Sequence, residues 1–313
     1  MKTAVDIMGG DGSPENVIEG CIKFSRVFPE DKLVLCCTPE IERQDIFAHL
    51  SNNKNITFKY FSDVINMDEH PAIVKKDKTN STLAGAVSLV RDKKADCSFS
   101  CGNSGAVILS SMSILGQTDA EMPPFLISFI PAYGKDPVAL TDAGATGNSF
   151  FSSEVFFKIA ESTCSFYKKM FGKNDPSVRM LNIGSEPWKG TGEHKKIYKM
   201  LSESGMNFKG NIEGDKILSA DTDIVLTDGF TGNTVLKLLE SFYDILSKFK
   251  NIKDCNIENN YLNFLLDEFR YDAIGGAPLL GVNGKVVLGH GKSNPEAVYS
   301  GLKLCREYVM KSK

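Results

Sequence analysis

"TDAGATGNSFF", Thr141 to Phe151, follows the apolar run Val138-Ala139-Leu140 and precedes a long stretch with helical spacing. The order is strand, glycine turn, helix start. In that geometry unpaired backbone N–H groups and the helix dipole can hold an anion. The stretch contains neither lysine nor arginine, so any cation for that anion must come from another part of the chain.

The same order recurs outward in both directions. Lys2 to Met8 reads as a strand before "GGDGSPE", where Ser13 is placed to cap a helix and Pro14 to begin it. "KLVLCCT" and "ITFKYF" read as strands, and Leu83 to Lys94 as a helix feeding "ADCSFSC", after which "GNSGA" opens another helix. "FLISFIPA" and "VALTDAG" read as consecutive strands joined at Tyr133–Asp136. "VRMLNIG" and "DIVLTDG" are further strands, followed by helices over Glu193–Ser204 and about Thr231–Phe249. Two strands flank Asn283-Gly284, a hairpin dipeptide, and a last helix starts at Pro295 behind Asn294. Strands alternating with helices predict an α/β fold of three layers, a mostly parallel sheet with helices on both faces. Ligands in such sheets collect at the carboxyl ends of the strands. The chain reads as one domain over 1–313 that divides into lobes, with a helical and hairpin segment from about residue 251.

Composition narrows the function. Net charge is −3 and 42% of the 313 residues are hydrophobic, which gives a large core and no nucleic-acid signature. Short basic clusters such as His194-Lys195-Lys196 read as solvated faces or as a docking patch for an acidic partner. The N-terminus lacks the pattern of a signal peptide, and no apolar run reaches the roughly 20 residues of a membrane span. Eight cysteines without a C-x-x-C pair point to a reduced, cytoplasmic protein without a zinc site.

Five glycine turns carry the candidate chemistry: "GGDG" after Met8, "SCGNSGA" at Ser100–Ala106, "DAGATGN" at Asp142–Asn148, "NIGSEPWKG" at Asn182–Gly190 and "DGFTGN" at Asp228–Asn233. Glycine permits close backbone approach, and Asn and Ser offer neutral hydrogen bonds. Nucleotide patterns fail: Glu15 stands where a third dinucleotide glycine belongs, and Val286 where the first phosphate-loop glycine belongs. Lys189 reads as a phosphate point charge or an ordinary surface lysine. Cys101 reads as a thioester-forming nucleophile or a buried strand-end residue. His290 reads as a proton-transfer group or a loop hydrogen-bonder.

Together "AVDIMGGDGSPE", "SCGNSGA", "MLNIGSEPWKG", "NFKGNIEG", "DIVLTDGFTGN" and "GGAPLLGVNGKVVLGHG" resemble the bacterial phosphate acyltransferases of phospholipid synthesis, in the family's order from residue 4 to about 305. The resemblance implies a fold of the isocitrate and isopropylmalate dehydrogenase type, like phosphotransacetylase. It implies acyl transfer from acyl-acyl-carrier-protein to inorganic phosphate without a cofactor or metal. It also implies a homodimer that contacts the inner face of the membrane peripherally. Catalytic roles fall on Lys189, Asn103 and His290. Substrate-binding roles fall on Asp11, Ser104, Thr146, Asn148, Asn182, Glu186, Asp228, Asn233 and Lys237.

The sequence departs from the family pattern at several positions. Thr146 and Asn148 stand where the family carries Asn and Asp. Ser185 replaces an acidic residue, Pro123 an arginine and Cys101 a small residue. Three of these changes remove formal charge, which leaves a non-catalytic acyl-binding or carrier-binding paralogue and a short-chain acyl-CoA phosphotransferase as alternatives. "YLNFLLDEF", Tyr261–Phe269, reads as a short helix whose apolar face packs in a dimer or core, or meets a membrane surface.

Overall fold

The computed structural model describes residues 1–43, 50, 53–132, 136–147, 152–219, 222–250 and 275–312. The polar junction at 251–260, the segment Tyr261–Phe269 and Asn148 lie outside the described residues. In chain order the principal elements are β1 (Lys2–Asp6), α1 (Glu15–Val27), β2 (Lys32–Cys37), β3 (Ile56–Tyr60), α2 (Thr82–Arg91), β4 (Cys97–Ser100) and α3 (Ser104–Leu115). There follow β5 (Phe125–Ile130), β6 (Val138–Thr141), α4 (Ser153–Phe171), β7 (Val178–Leu181), α5 (Gly192–Glu203), β8 (Phe208–Ile212), β9 (Ile224–Leu226) and α6 (Gly229–Lys250). The chain closes with β10 (Ala277–Leu280), β11 (Val286–Leu288) and α7 (Pro295–Lys311).

Two compact units result. The first joins Met1–Ala120 to Asp272–Lys313, and the second is Glu121–Tyr271. The first unit's strands run in the order β3-β2-β1-β4-β11-β10, all parallel except the hairpin strand β10. The inner strands β1, β2 and β11 are buried on both faces, which is why their apolar runs are nearly continuous, while the edge strand β3 is largely open. On one face Ala4, Val34 and Cys36 pack under Ala86 and Leu89 of α2. On the other, Phe99 lies level with Val5 and Val287 and takes Gly301 of α7 against its ring. Helices therefore cover both faces.

The second unit's strands run β5-β6-β9-β7-β8, with only the β5–β6 pair antiparallel. Its core joins Ile130, Val138, Leu140, Leu181, Ile212 and Val225, with Val235, Leu236 and Leu239 of α6 packed against them. Helix starts are capped largely as the side chains dictate: Ser81, Ser152 and Asn294 each accept a backbone amide three residues on. The first helix differs from the reading above. Its hydroxyl candidate, Ser13, donates back to the Gly9 carbonyl, and the helix begins at Glu15 behind an uncapped Pro14.

Candidate active site

The glycine turns fall into two sets, one at the strand ends of each unit. In the first unit Asp6, Ser100 and Leu288 lie level at the carboxyl ends of β1, β4 and β11. "GGDG", "SCGNSGA" and the "GHGKSN" that follows β11 thus leave the sheet side by side. Backbone bonds tie them: Asp11 N–H donates to Gly291 O (2.7 Å) and Gly289 N–H to Ser100 O (2.8 Å). Beneath them Asp6 is buried and accepts from Ser100 Oγ at 2.8 Å. Burial pushes its carboxyl above the ordinary range, against the pull of hydrogen bonds from Ser100, Thr82 and the Met8 and Gly9 amides.

Around this floor stand five residues singled out from the sequence. Asn103 is committed at both ends of its amide. Oδ1 accepts from the Ala106 N–H (3.0 Å) as the cap of α3, and Nδ2 donates to the carbonyls of Met67 (3.1 Å) and Glu69 (2.9 Å). Ser104, the first residue of that helix, and Asp11 are exposed. His290 is half-buried, and its Nδ1 accepts the Lys292 amide at 3.1 Å. The neutral ring then carries its proton on Nε2. Cys101 is buried, and burial pushes its thiol up to about 12, so it is the strand-end residue and not a thiolate nucleophile.

In the second unit the turn "DAGATGN" holds an anion of its own. Asp142, 1% exposed, takes the Leu126 (2.9 Å), Gly144 (3.1 Å) and Ala145 (3.1 Å) amides on Oδ1, and Ala145 (3.1 Å) and Thr146 (2.6 Å) on Oδ2. These N–H groups, read above as a ligand cradle, are filled by the side chain at the turn's start. The first residue of α6 closes over it: a Cβ at Gly229 would lie 2.6 Å from Asp142 Oδ2, so only glycine fits. Thr146 is nearly buried and turns its hydroxyl to Gly147 O (3.2 Å), and Asn233 packs beside Gly144. Asp228 caps α6 by accepting Thr231 N–H (2.9 Å) and Thr231 Oγ1–H (2.7 Å).

The loop after β7 gathers Asn182, Glu186 and Lys189. Asn182 fixes both ends of it, accepting from Ile183 N–H (2.8 Å) and donating to Lys189 O (3.2 Å). Asn211 donates to Glu186 O at 2.7 Å. The Glu186 carboxylate and the Lys189 stem both lie against Gly184, where a Cβ would come within 2.9 Å of each. Lys189 is half-buried, and among the described residues its ammonium forms no ion pair. Lys237, by contrast, pairs with Glu240 at 2.8 Å along an exposed stretch of α6. Of the changed positions, Pro123 is buried and Ser185 exposed.

Two residues of this region were not among the sequence candidates. Asp142 had a signal: an aspartate two residues before the glycine of a turn offers its carboxylate to the amides that follow. His194 had one as well, standing three residues after Thr191 in a capping-box position. Thr191 N–H donates to its Nδ1 (3.3 Å), and His194 N–H donates to Thr191 Oγ1 (3.4 Å). Burial pushes the imidazole below its ordinary range, while Asp228 and Glu193 pull it back up; the net shift favours the neutral ring.

The sequence matches the fatty acid synthesis protein family over residues 1–312. A relative from Lactobacillus delbrueckii subsp. bulgaricus, named phosphate acyltransferase, is 32% identical over 315 residues, covering 96% of this chain and 93% of that one. One of the same name from Syntrophomonas wolfei is 31% identical over 313 residues, covering 100% and 96%. A phosphotransacetylase structure from Streptococcus pyogenes superposes with a TM-score of 0.64 at 15% identity, covering 99% and 94%. An isocitrate dehydrogenase from Methylococcus capsulatus gives 0.50 at 10% identity, covering 99% and 86%. At such identities the two structures speak for the fold alone, and it is the fold predicted from the strand and helix alternation together with the resemblance. The family match and the relatives both run nearly end to end, and this chain belongs to the phosphate acyltransferases of the fatty acid synthesis protein family.

Proposed function

We propose that this protein transfers an acyl group from an acyl-acyl-carrier-protein thioester to inorganic phosphate, giving acyl phosphate for phospholipid synthesis. Lys189 carries the reading: a half-buried lysine whose ammonium has no ion pair among the described residues, set in a loop that Asn182 and Asn211 hold in shape. A cation held this way is matched by an incoming dianion, and a charge-assisted contact of that kind contributes about 1.5–3 kcal/mol.

In the reaction a phosphate oxygen attacks the thioester carbonyl carbon. The new C–O bond forms, the C–S bond breaks, and the sulfur leaves with the electron pair and takes up a proton. Holding phosphate near the carbonyl accounts for much of such a rate gain, and donors aimed at the developing oxyanion account for more. Neutral His194, and the neutral form of His290 with its Nε2–H, are the forms that donate. Asn103 positions the "SCGNSGA" turn through its cap. The step as written needs no metal, nucleotide or enzyme nucleophile.

The test is direct. Purified protein with acyl-acyl-carrier-protein should release free carrier protein and hydroxylamine-trappable acyl phosphate only when phosphate is added. Folded protein without phosphate-dependent product would overturn the reading.

A homodimer remains part of the proposal. Leu238, Phe242 and Ile245, spaced i, i+4, i+7 on α6, are 58, 57 and 47% exposed, and a second copy would cover them. Among the described residues no helix is long and apolar enough to cross a membrane; peripheral contact with its inner face stays a proposal drawn from the resemblance.

A further inference from the structure

The loop that carries Lys189, with the helix after it, also presents a surface the reaction itself does not use. Ile183 is 81% exposed and Trp188 66% exposed, both on the loop after β7. An isolated exposed apolar side chain is ordinary, but two on one nine-residue loop, one of them the chain's single tryptophan, form an anchor of the kind that dominates protein interfaces. The loop runs straight into α5, whose solvent side bears Lys195, Lys196 and Lys199. Lys195 and Lys199 lie one turn apart, and among the described residues neither forms an ion pair. Lys196 pairs with Glu193 at 3.2 Å. Residues 183–199 thus hold four lysines against two glutamates in a chain whose net charge is −3.

We infer that Ile183, Trp188, Lys195 and Lys199 form the docking face for the acyl donor's protein part, a small acidic carrier whose surface carboxylates meet the lysines while an apolar side chain covers the tryptophan. This rests on the proposed acyl transfer and adds the place where the donor binds. A protein partner fits better than an anionic bilayer. Membrane-binding segments cluster more basic residues and expose a continuous apolar face, whereas the apolar side of α5, Ile197 and Leu201, is buried and Glu186 and Glu193 stand within the patch. Opposed charge of this kind mainly raises the association rate and weakens with salt.

Lys195→Glu with Lys199→Glu tests the face. The variant should raise KM for acyl-acyl-carrier-protein about tenfold or more. Turnover with the same acyl group on CoA, and the KM for phosphate, should stay within a factor of two. Binding of holo carrier protein, followed by Trp188 fluorescence, should weaken to the same degree and lose its salt dependence. An unchanged KM for the carrier-borne donor, or an equal loss with both donors, overturns the proposal. So does lysine-dependent binding to phosphatidylglycerol vesicles without binding to the carrier protein. If the wild-type protein turns over neither donor, the acyl-transfer reading has failed. The fluorescence titration then decides the docking face separately, and no lysine-dependent carrier binding in that titration would sink it.

Discussion

Replacing Asp142 with asparagine tests the self-filled turn. The carboxylate receives four amides, with the shortest contact, Thr146 N at 2.6 Å, on Oδ2. Asparagine keeps an oxygen at one position only. With that oxygen at Oδ1, the new NH2 faces the Ala145 and Thr146 amides, donor against donor. Losing the charge-assisted bond to Thr146 costs about 1.5–3 kcal/mol, and a buried unmatched N–H adds about 1–3 kcal/mol. Partial relaxation of a surface turn brings the sum to about 3–4 kcal/mol, large against a typical total of roughly 5–15 kcal/mol. Urea unfolding should show a lower midpoint at an unchanged slope, the condition under which the shift converts to energy in a chain of two units. Hydrogen exchange localises the effect: the amides of residues 144–146 should exchange about a hundredfold faster or more, while those of β1 and β4 hold. A variant within about 0.5 kcal/mol of wild type, with those amides still protected, would refute the seating of the carboxylate as the organiser of this turn.

Three further outcomes follow from the same geometry. The buried Asp6 carboxyl has a raised pKa, so its contribution is fully present below about 3.8, the ordinary value, and is lost as pH rises through the folded-state value. Asp6→Asn should therefore gain on wild type in unfolding free energy between pH 4 and pH 7, and an identical pH dependence for the two proteins would count against this. Lys189→Ala should raise KM for phosphate about tenfold to a hundredfold, from the loss of a charge-assisted contact, with KM for the acyl donor little changed; steady-state kinetics in both substrates decides it. Asn103→Ala should lower stability by about 1–2 kcal/mol through loss of the cap and its two carbonyl contacts. Asn103→Asp, which keeps the cap, should recover about half of that, and thermal melts of the pair check it.

Much of the fold could be read directly, because many of the apolar runs lead into a glycine turn and every principal helix except α1 opens on Ser, Thr, Asn or Asp. The hairpin β10–β11 announced itself in Asn283-Gly284, and the β5–β6 pair in its short connection. Spatial order could not be read: β9 inserts between β6 and β7, and β11 pairs with β4 from nearly two hundred residues away. The candidate site was legible as a set of turns but not as a division of labour among their polar residues. Asn103 and Asp228 look like ligand groups in a string of letters, yet both sit where a helix needs an acceptor for its first free amides. The turn at Thr141 looked like a site lacking its cation because its amides read as open to a ligand, whereas the aspartate at its start bends back and occupies them.

The discontinuous first unit has a consequence for synthesis of the chain. Strand β4 pairs with β1 on one side and with β11 on the other, and β11 comes only at Val286–Leu288. All of the second unit leaves the ribosome before that partner does, so β4 presents an open edge while well over a hundred residues are added. Such an edge invites pairing with a neighbouring nascent chain. Mutations that weaken β11 or α7 should show themselves first as aggregation during expression, before any loss is measurable in the finished protein.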